Sequence, residues 1–119
     1  MSTPELAQTL AAIDRILADA GDADHALRGV VETLHERVGY TWAGIFFAEA
    51  GTLELGPEAG DPDPPLRTRV DVMWRDNRVA ELAVDGAVPE DRSFLEQVAA
   101  RVAGHCLVGW DTVGEPWDG

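Results

Sequence analysis

The sequence predicts an α+β fold: an antiparallel sheet with two N-terminal helices and a C-terminal helix packed on one face. Three observations predict it. Apolar residues recur at helical spacing over the first 38 positions and again after Pro89. Between them lie two pairs of segments with β composition, each pair joined by a short turn. Hairpins in the middle and helices segregated at the ends are the pattern of helices layered on an antiparallel sheet.

The first helix carries the stripe Leu6, Leu10, Ile13 and Leu17. Ser2 and Glu5 are spaced as a capping box, with Pro4 in the first turn and Gly21 as the stop. Asp22 opens a second helix with the stripe Leu27, Val30, Val31, Leu34 and Val38, ended by Gly39. From Thr41 to Ala48 the chain is rich in β-formers and apolar on both faces, as suits a central strand. Glu49-Ala50-Gly51 turns it into the alternating Thr52-Leu53-Glu54-Leu55. Residues 56–65 hold four prolines and two glycines and read as a loop.

A second hairpin follows. Val70, Val72 and Trp74 alternate with Arg69, Asp71 and Met73, Asp76-Asn77 makes the turn, and Ala80, Leu82 and Val84 alternate with Glu81, Ala83 and Asp85. A register slip by one residue would bury Asp71, at a cost of roughly 2–7 kcal/mol without a partner. Val70, Val72 and Trp74 are therefore expected inside, with Leu82, Val84 and Ile45. Pro89-Glu90-Asp91 opens the last helix, with stripe Phe94, Leu95, Val98, Val102 and Cys106. The expected division is a domain over 1–108 and a tail over 109–119. The tail is aperiodic yet holds Trp110 and Trp117, which suggests docking onto the domain or a partner.

The chain has 119 residues, 45% of them hydrophobic, enough for one core. No apolar run approaches the ~20 residues of a spanning helix, and the N-terminus lacks a signal-like apolar region. A cytoplasmic protein is expected. The net charge is −13, and all nine basic residues are arginine. Such a surface repels phosphate backbones and anionic lipid, so neither nucleic acid nor membrane is an expected partner. Without lysine there is no Schiff-base chemistry and no P-loop. Cys106 is the only cysteine, which leaves no intrachain disulfide and no CxxC pair. His105 and Cys106 are adjacent on a helix and point about 100° apart, so they do not form a thiol–imidazole pair. His25, His35 and His105 lie far apart in sequence, and no metal or cofactor is expected.

Trp42-Ala43-Gly44-Ile45-Phe46, then Leu53-Glu54-Leu55-Gly56-Pro57 with Gly60, then Val79-Ala80-Glu81-Leu82-Ala83-Val84-Asp85, and finally Pro89 with Phe94-Leu95 occur in an order that resembles the GAF domain family. The branch resembled is that of the free methionine-(R)-sulfoxide reductases. The resemblance implies that Trp42 and Phe46 form an aromatic platform on one sheet face, with Asp85 as a ligand-orienting carboxylate. A second aspartate of that site corresponds to Ala83, and a glutamate falls near Thr68. In the family a long excursion between the second strand and the final hairpin covers the ligand and, in the reductases, carries catalytic cysteines. Here it is reduced to residues 56–68 and holds no cysteine. The resulting expectation is a non-catalytic regulatory or protein-interaction module, acting as a homodimer or with a partner protein. The alternative is a small-molecule sensor with a reduced pocket over Trp42 and Phe46. With its cover missing, that platform is expected to face water.

Overall fold

The structure, a computed structural model, describes residues 3–49 and 51–106. Helix α1 spans Thr3–Asp19 and α2 spans Ala23–Thr33. Asp22 caps α2 by accepting a hydrogen bond from the His25 amide at 2.8 Å, which satisfies one of the free N–H groups of the first turn. The second helical stripe is not one helix. Its last five residues, Leu34–Val38, widen into a π-helical turn that ends at Gly39, whose φ of 98° is a left-handed cap suited to glycine. Ser2, the proposed partner in the capping box, lies outside the described residues.

Four strands follow: β1 Trp42–Glu49, β2 Thr52–Gly60, β3 Arg67–Trp74 and β4 Asn77–Asp85. They form one antiparallel sheet in the order β2-β1-β4-β3. A 3₁₀ turn at Pro89–Asp91 leads into α3, Arg92–Val102.

Two local expectations are corrected. Residues 56–60 belong to β2 and not to a loop. The strand tolerates Pro57 because it is an edge strand and because its register against β1 shifts between Gly44 and Phe46, where the ladder is already interrupted. The β3–β4 turn is Arg75-Asp76, one residue earlier than expected. Both residues have positive φ, 51° and 67°, the backbone that best matches the twist of a two-residue hairpin.

The alternation in β3 and β4 resolves as the desolvation argument requires. Val70 lies opposite Leu82 and Val72 opposite Ala80, and all four are buried in the core with Ile45 and Val84. Trp74 is half-buried against that core, while Asp71 is exposed. Helix α2 lies against β1 and β2, α3 lies against β3, and α1 packs on both helices. Ile13, Leu27, Val30, Leu34, Leu95 and Val98 close the core from the helical side. At the core's edge the Tyr40 hydroxyl donates to Asp91 Oδ2 at 2.8 Å, tying the start of β1 to the start of α3. Burial and this bond hold the Tyr40 hydroxyl far above the usual phenol range.

Candidate functional site

The face of the sheet opposite the helices follows from strand register. Pairing places Trp42 beside Asp85, and Asp85 beside Arg67, in one row across β1, β4 and β3. The next row is Gly44, Ala83 and Arg69, and the one after it is Phe46, Glu81 and Asp71. Trp42, Phe46 and Asp85 are therefore brought together on one face. The Trp42 and Phe46 rings are 6.2 Å apart, tilted by 55°.

The platform does not face water. Trp42 is 1% exposed. Its ring lies across Gly44, where any Cβ would collide with it, so glycine is what lets the indole lie down on the sheet. Its Nε1–H donates to Glu58 Oε1 at 2.8 Å, from the part of β2 that was expected to be loop. Above the ring sits the Arg67 guanidinium, with Cζ 4.1 Å from the centroid, a cation–π stack. Phe46 is half-buried, with the Arg69 guanidinium 5.6 Å above it. The expectation of an open aromatic patch fails because the chain's own arginines do the covering.

Asp85 is fully buried. Arg67 Nε donates to Oδ1 at 2.8 Å and Nη2 to Oδ2 at 3.0 Å, a forked pair. The Asp63 amide donates to Oδ2 at 2.6 Å. Burial by itself would raise the Asp85 pKa, but the Arg67 hydrogen bonds, the Asp63 amide and the charges of Arg67 and Arg69 outweigh it, and the net shift is downward. Arg67 is correspondingly held further above its ordinary range by its bond to Asp85.

The same carboxylate organises the connection between β2 and β3. Residues 61–66 fold over the ends of β1 and β4, with the Asp61 amide on Thr41 O, the Asp63 amide on Asp85 and the Gly86 amide on Leu66 O. Thr68, which the resemblance placed at a ligand-facing glutamate, pairs with Val84 and points to the helical side. Arg67 and Arg69 take the site-facing positions of β3, and Arg69 pairs with Glu81 at 2.6 Å. Neither arginine was singled out from the sequence. The signal that could have found them is Arg67-x-Arg69 running antiparallel to Glu81-x-Ala83-x-Asp85, opposite charges on one face of a hairpin.

Among the described residues, surface grooves lie on the helical side. One, of about 540 Å³, runs between α1 and α2 past Ile16, His25, Gly29 and Arg37. Another, of about 270 Å³, lies between α1 and the start of α3 beside Leu10 and Phe94. Neither includes Trp42, Phe46 or Asp85. Among the described residues no group of histidine, cysteine or carboxylates is placed to hold a metal ion, and no helix is long and apolar enough to cross a membrane. Cys106 is buried in the core, and burial pushes its thiol up to about 12. Trp110 and Trp117 lie outside the described residues.

No family model matches the chain and no curated protein matches it. Solved structures do. The chain resembles the free methionine-R-sulfoxide reductase of Neisseria meningitidis, solved in complex with its substrate, with a TM-score of 0.76 at 15% identity over 92% of this chain and 93% of that one. It resembles the GAF domain of a phosphoenolpyruvate-protein phosphotransferase from Coxiella burnetii, with a TM-score of 0.77 at 12% identity over 88% and 94%. The corresponding GAF domain from Acinetobacter gives 0.74 at 15% identity over 89% and 94%. At such identities the likeness shows the fold, and the fold is GAF-like.

Proposed function

We propose that this chain is a non-catalytic, GAF-like regulatory or protein-interaction module of the cytoplasm, working as a homodimer or against a partner protein and needing no cofactor. The observation that carries this reading is the occupancy of the sheet's outer face. Asp85, the carboxylate best placed to orient a ligand, already has both oxygens bound by Arg67, and Trp42 lies beneath the same guanidinium. The thiol chemistry of the reductases has no counterpart in Cys106, which is buried and stays protonated near neutral pH. A second reading, a small-molecule sensor over Trp42 and Phe46, is favoured by Phe46, which is only half-buried.

With free methionine (R)-sulfoxide and a dithiol reductant, no turnover is expected. Turnover that Cys106→Ser abolishes would overturn the non-catalytic reading. A thermal-shift panel of metabolites separates the two remaining readings, since a ligand that binds only the native state raises Tm by an amount that grows with the logarithm of its concentration above Kd. The module reading expects no shift; a shift lost in Trp42→Leu selects the sensor.

The division at residue 108 and the docking of Trp110 and Trp117 are part of the same proposal. Each aromatic buried by docking is worth about 2 kcal/mol by area, enough to offset the ordering of only the one or two residues around it, so docking would pin the tail at Trp110 and Trp117. Removal of residues 109–119 is therefore expected to lower Tm or to change the oligomeric state seen by light scattering. Identical behaviour of the truncated chain in both measurements rules the docking out.

A further inference from the structure

We infer that the Trp42–Asp85 pair is a guanidinium-binding socket and that Arg67 is its tethered occupant, a built-in ligand that keeps the site closed to free cations. This deepens the proposal above, in which Arg67 already occupies both oxygens of Asp85 and covers Trp42.

The socket meets a guanidinium in three ways at once. A planar indole lies beneath it, at a Cζ–centroid distance of 4.1 Å. A buried carboxylate stands at its edge and takes two N–H groups in parallel. The Asp63 amide and the Trp42–Glu58 hydrogen bond fix the carboxylate and the ring independently of Arg67. Those last two contacts matter most. They mean that the walls of the socket are held by groups other than its occupant, and should persist when the occupant's side chain is removed. The chemistry selects for a fork of donors on a flat cation, which guanidinium has and ammonium does not. A side chain tethered one strand away competes at an effective concentration of at least ~mM, so dilute free cations do not displace it. Arg69, with its guanidinium over Phe46 and its bond to Glu81, has no such enclosure: its side chain is 50% exposed, against 13% for Arg67.

Arg67→Ala removes the occupant and leaves the socket. The probe is ethylguanidinium, with urea as the flat but neutral counterpart and sodium chloride at equal ionic strength. At about 20 mM, ethylguanidinium is expected to raise the Tm of Arg67→Ala by about 2–4 °C, with no rise in the unaltered chain or in Arg67→Ala/Asp85→Asn. Urea and salt should give no such rise. An equal response in the unaltered chain, or none in folded Arg67→Ala, overturns the inference. If Arg67→Ala does not fold, Arg67→Met, which retains most of the apolar stem, takes the same titration. One measurement needs no loss of Arg67: the unaltered chain should show an Arg67 Nε–H that exchanges slowly with water, and Asp85→Asn should lose it. Fast exchange in the unaltered chain also overturns the inference. Neither measurement depends on turnover or on the metabolite panel, so the module proposal stands or falls separately.

Discussion

Val72→Asp is expected to leave the chain unfolded at 25 °C, read by circular dichroism. Val72 is 0% exposed, faces Ala80 across the β3–β4 ladder, and belongs to the one core that the sheet and helices share. A carboxylate there is placed in a core built mainly of valine, leucine, isoleucine and alanine side chains. Burying an unpaired polar group costs roughly 2–7 kcal/mol, and an ionised one costs more unless it takes up a proton. Loss of the valine's own packing adds to that. Whole domains of this size are stable by only about 5–15 kcal/mol. The control is the adjacent residue: Met73→Asp adds the same charge to an already acidic chain, but at a side chain that is 47% exposed on the other face. That change is expected to move stability by about 0.5 kcal/mol or less. Equal effects of the two substitutions in urea titrations would mean that β3 is turned over.

The contrast between Val72 and Met73 also shows what the sequence could carry. The buried face of the hairpin was legible because period-2 alternation and the desolvation of Asp71 point the same way; its register was not, because the turn comes one residue early and the ladder shifts between Val72 and Met73. The helices were legible from their stripes and from Asp22 and Gly39. The end of β2 was not. Gly56, Pro57 and Gly60 are turn residues by composition, and only the edge position and the register shift opposite Gly44–Phe46 make a strand of them. That position is set by topology, which no local window contains. The state of Trp42 was illegible for the same reason. Its cover comes from Glu58 and Arg67, 16 and 25 positions downstream, and both contacts depend on strand pairings being right. The resemblance put Trp42, Phe46 and Asp85 on one face, as strand register does, but could not say that this chain fills that face with its own arginine.

Asp85→Ala is expected to cost about 3–5 kcal/mol, because it removes one half of an enclosed ion pair and strands the other. Arg67, 13% exposed, keeps its charge and its place over Trp42 but loses both carboxylate oxygens, and the Asp63 amide loses its acceptor. Replacing both partners, as in Arg67→Met/Asp85→Ala, leaves no stranded charge. The double variant should recover a large part of the loss, and a double-mutant cycle in urea reads that coupling directly. The pH dependence has a definite sign. The Asp85 pKa is lowered in the folded chain, so the unfolded chain binds its proton first as pH falls. The stability from ionised Asp85 is fully present above the unfolded aspartate pKa of about 3.9 and is lost below it, as pH falls through the lower folded value. The chain carries 22 acidic residues, so its total stability below pH 4 also reflects the relief of repulsion among the others. The difference between the unaltered chain and Asp85→Asn cancels that shared background. This difference should be constant from about pH 7 to pH 5 and shrink below pH 4. A difference that stays flat down to pH 2 would mean that Arg67 does not hold Asp85 as a carboxylate.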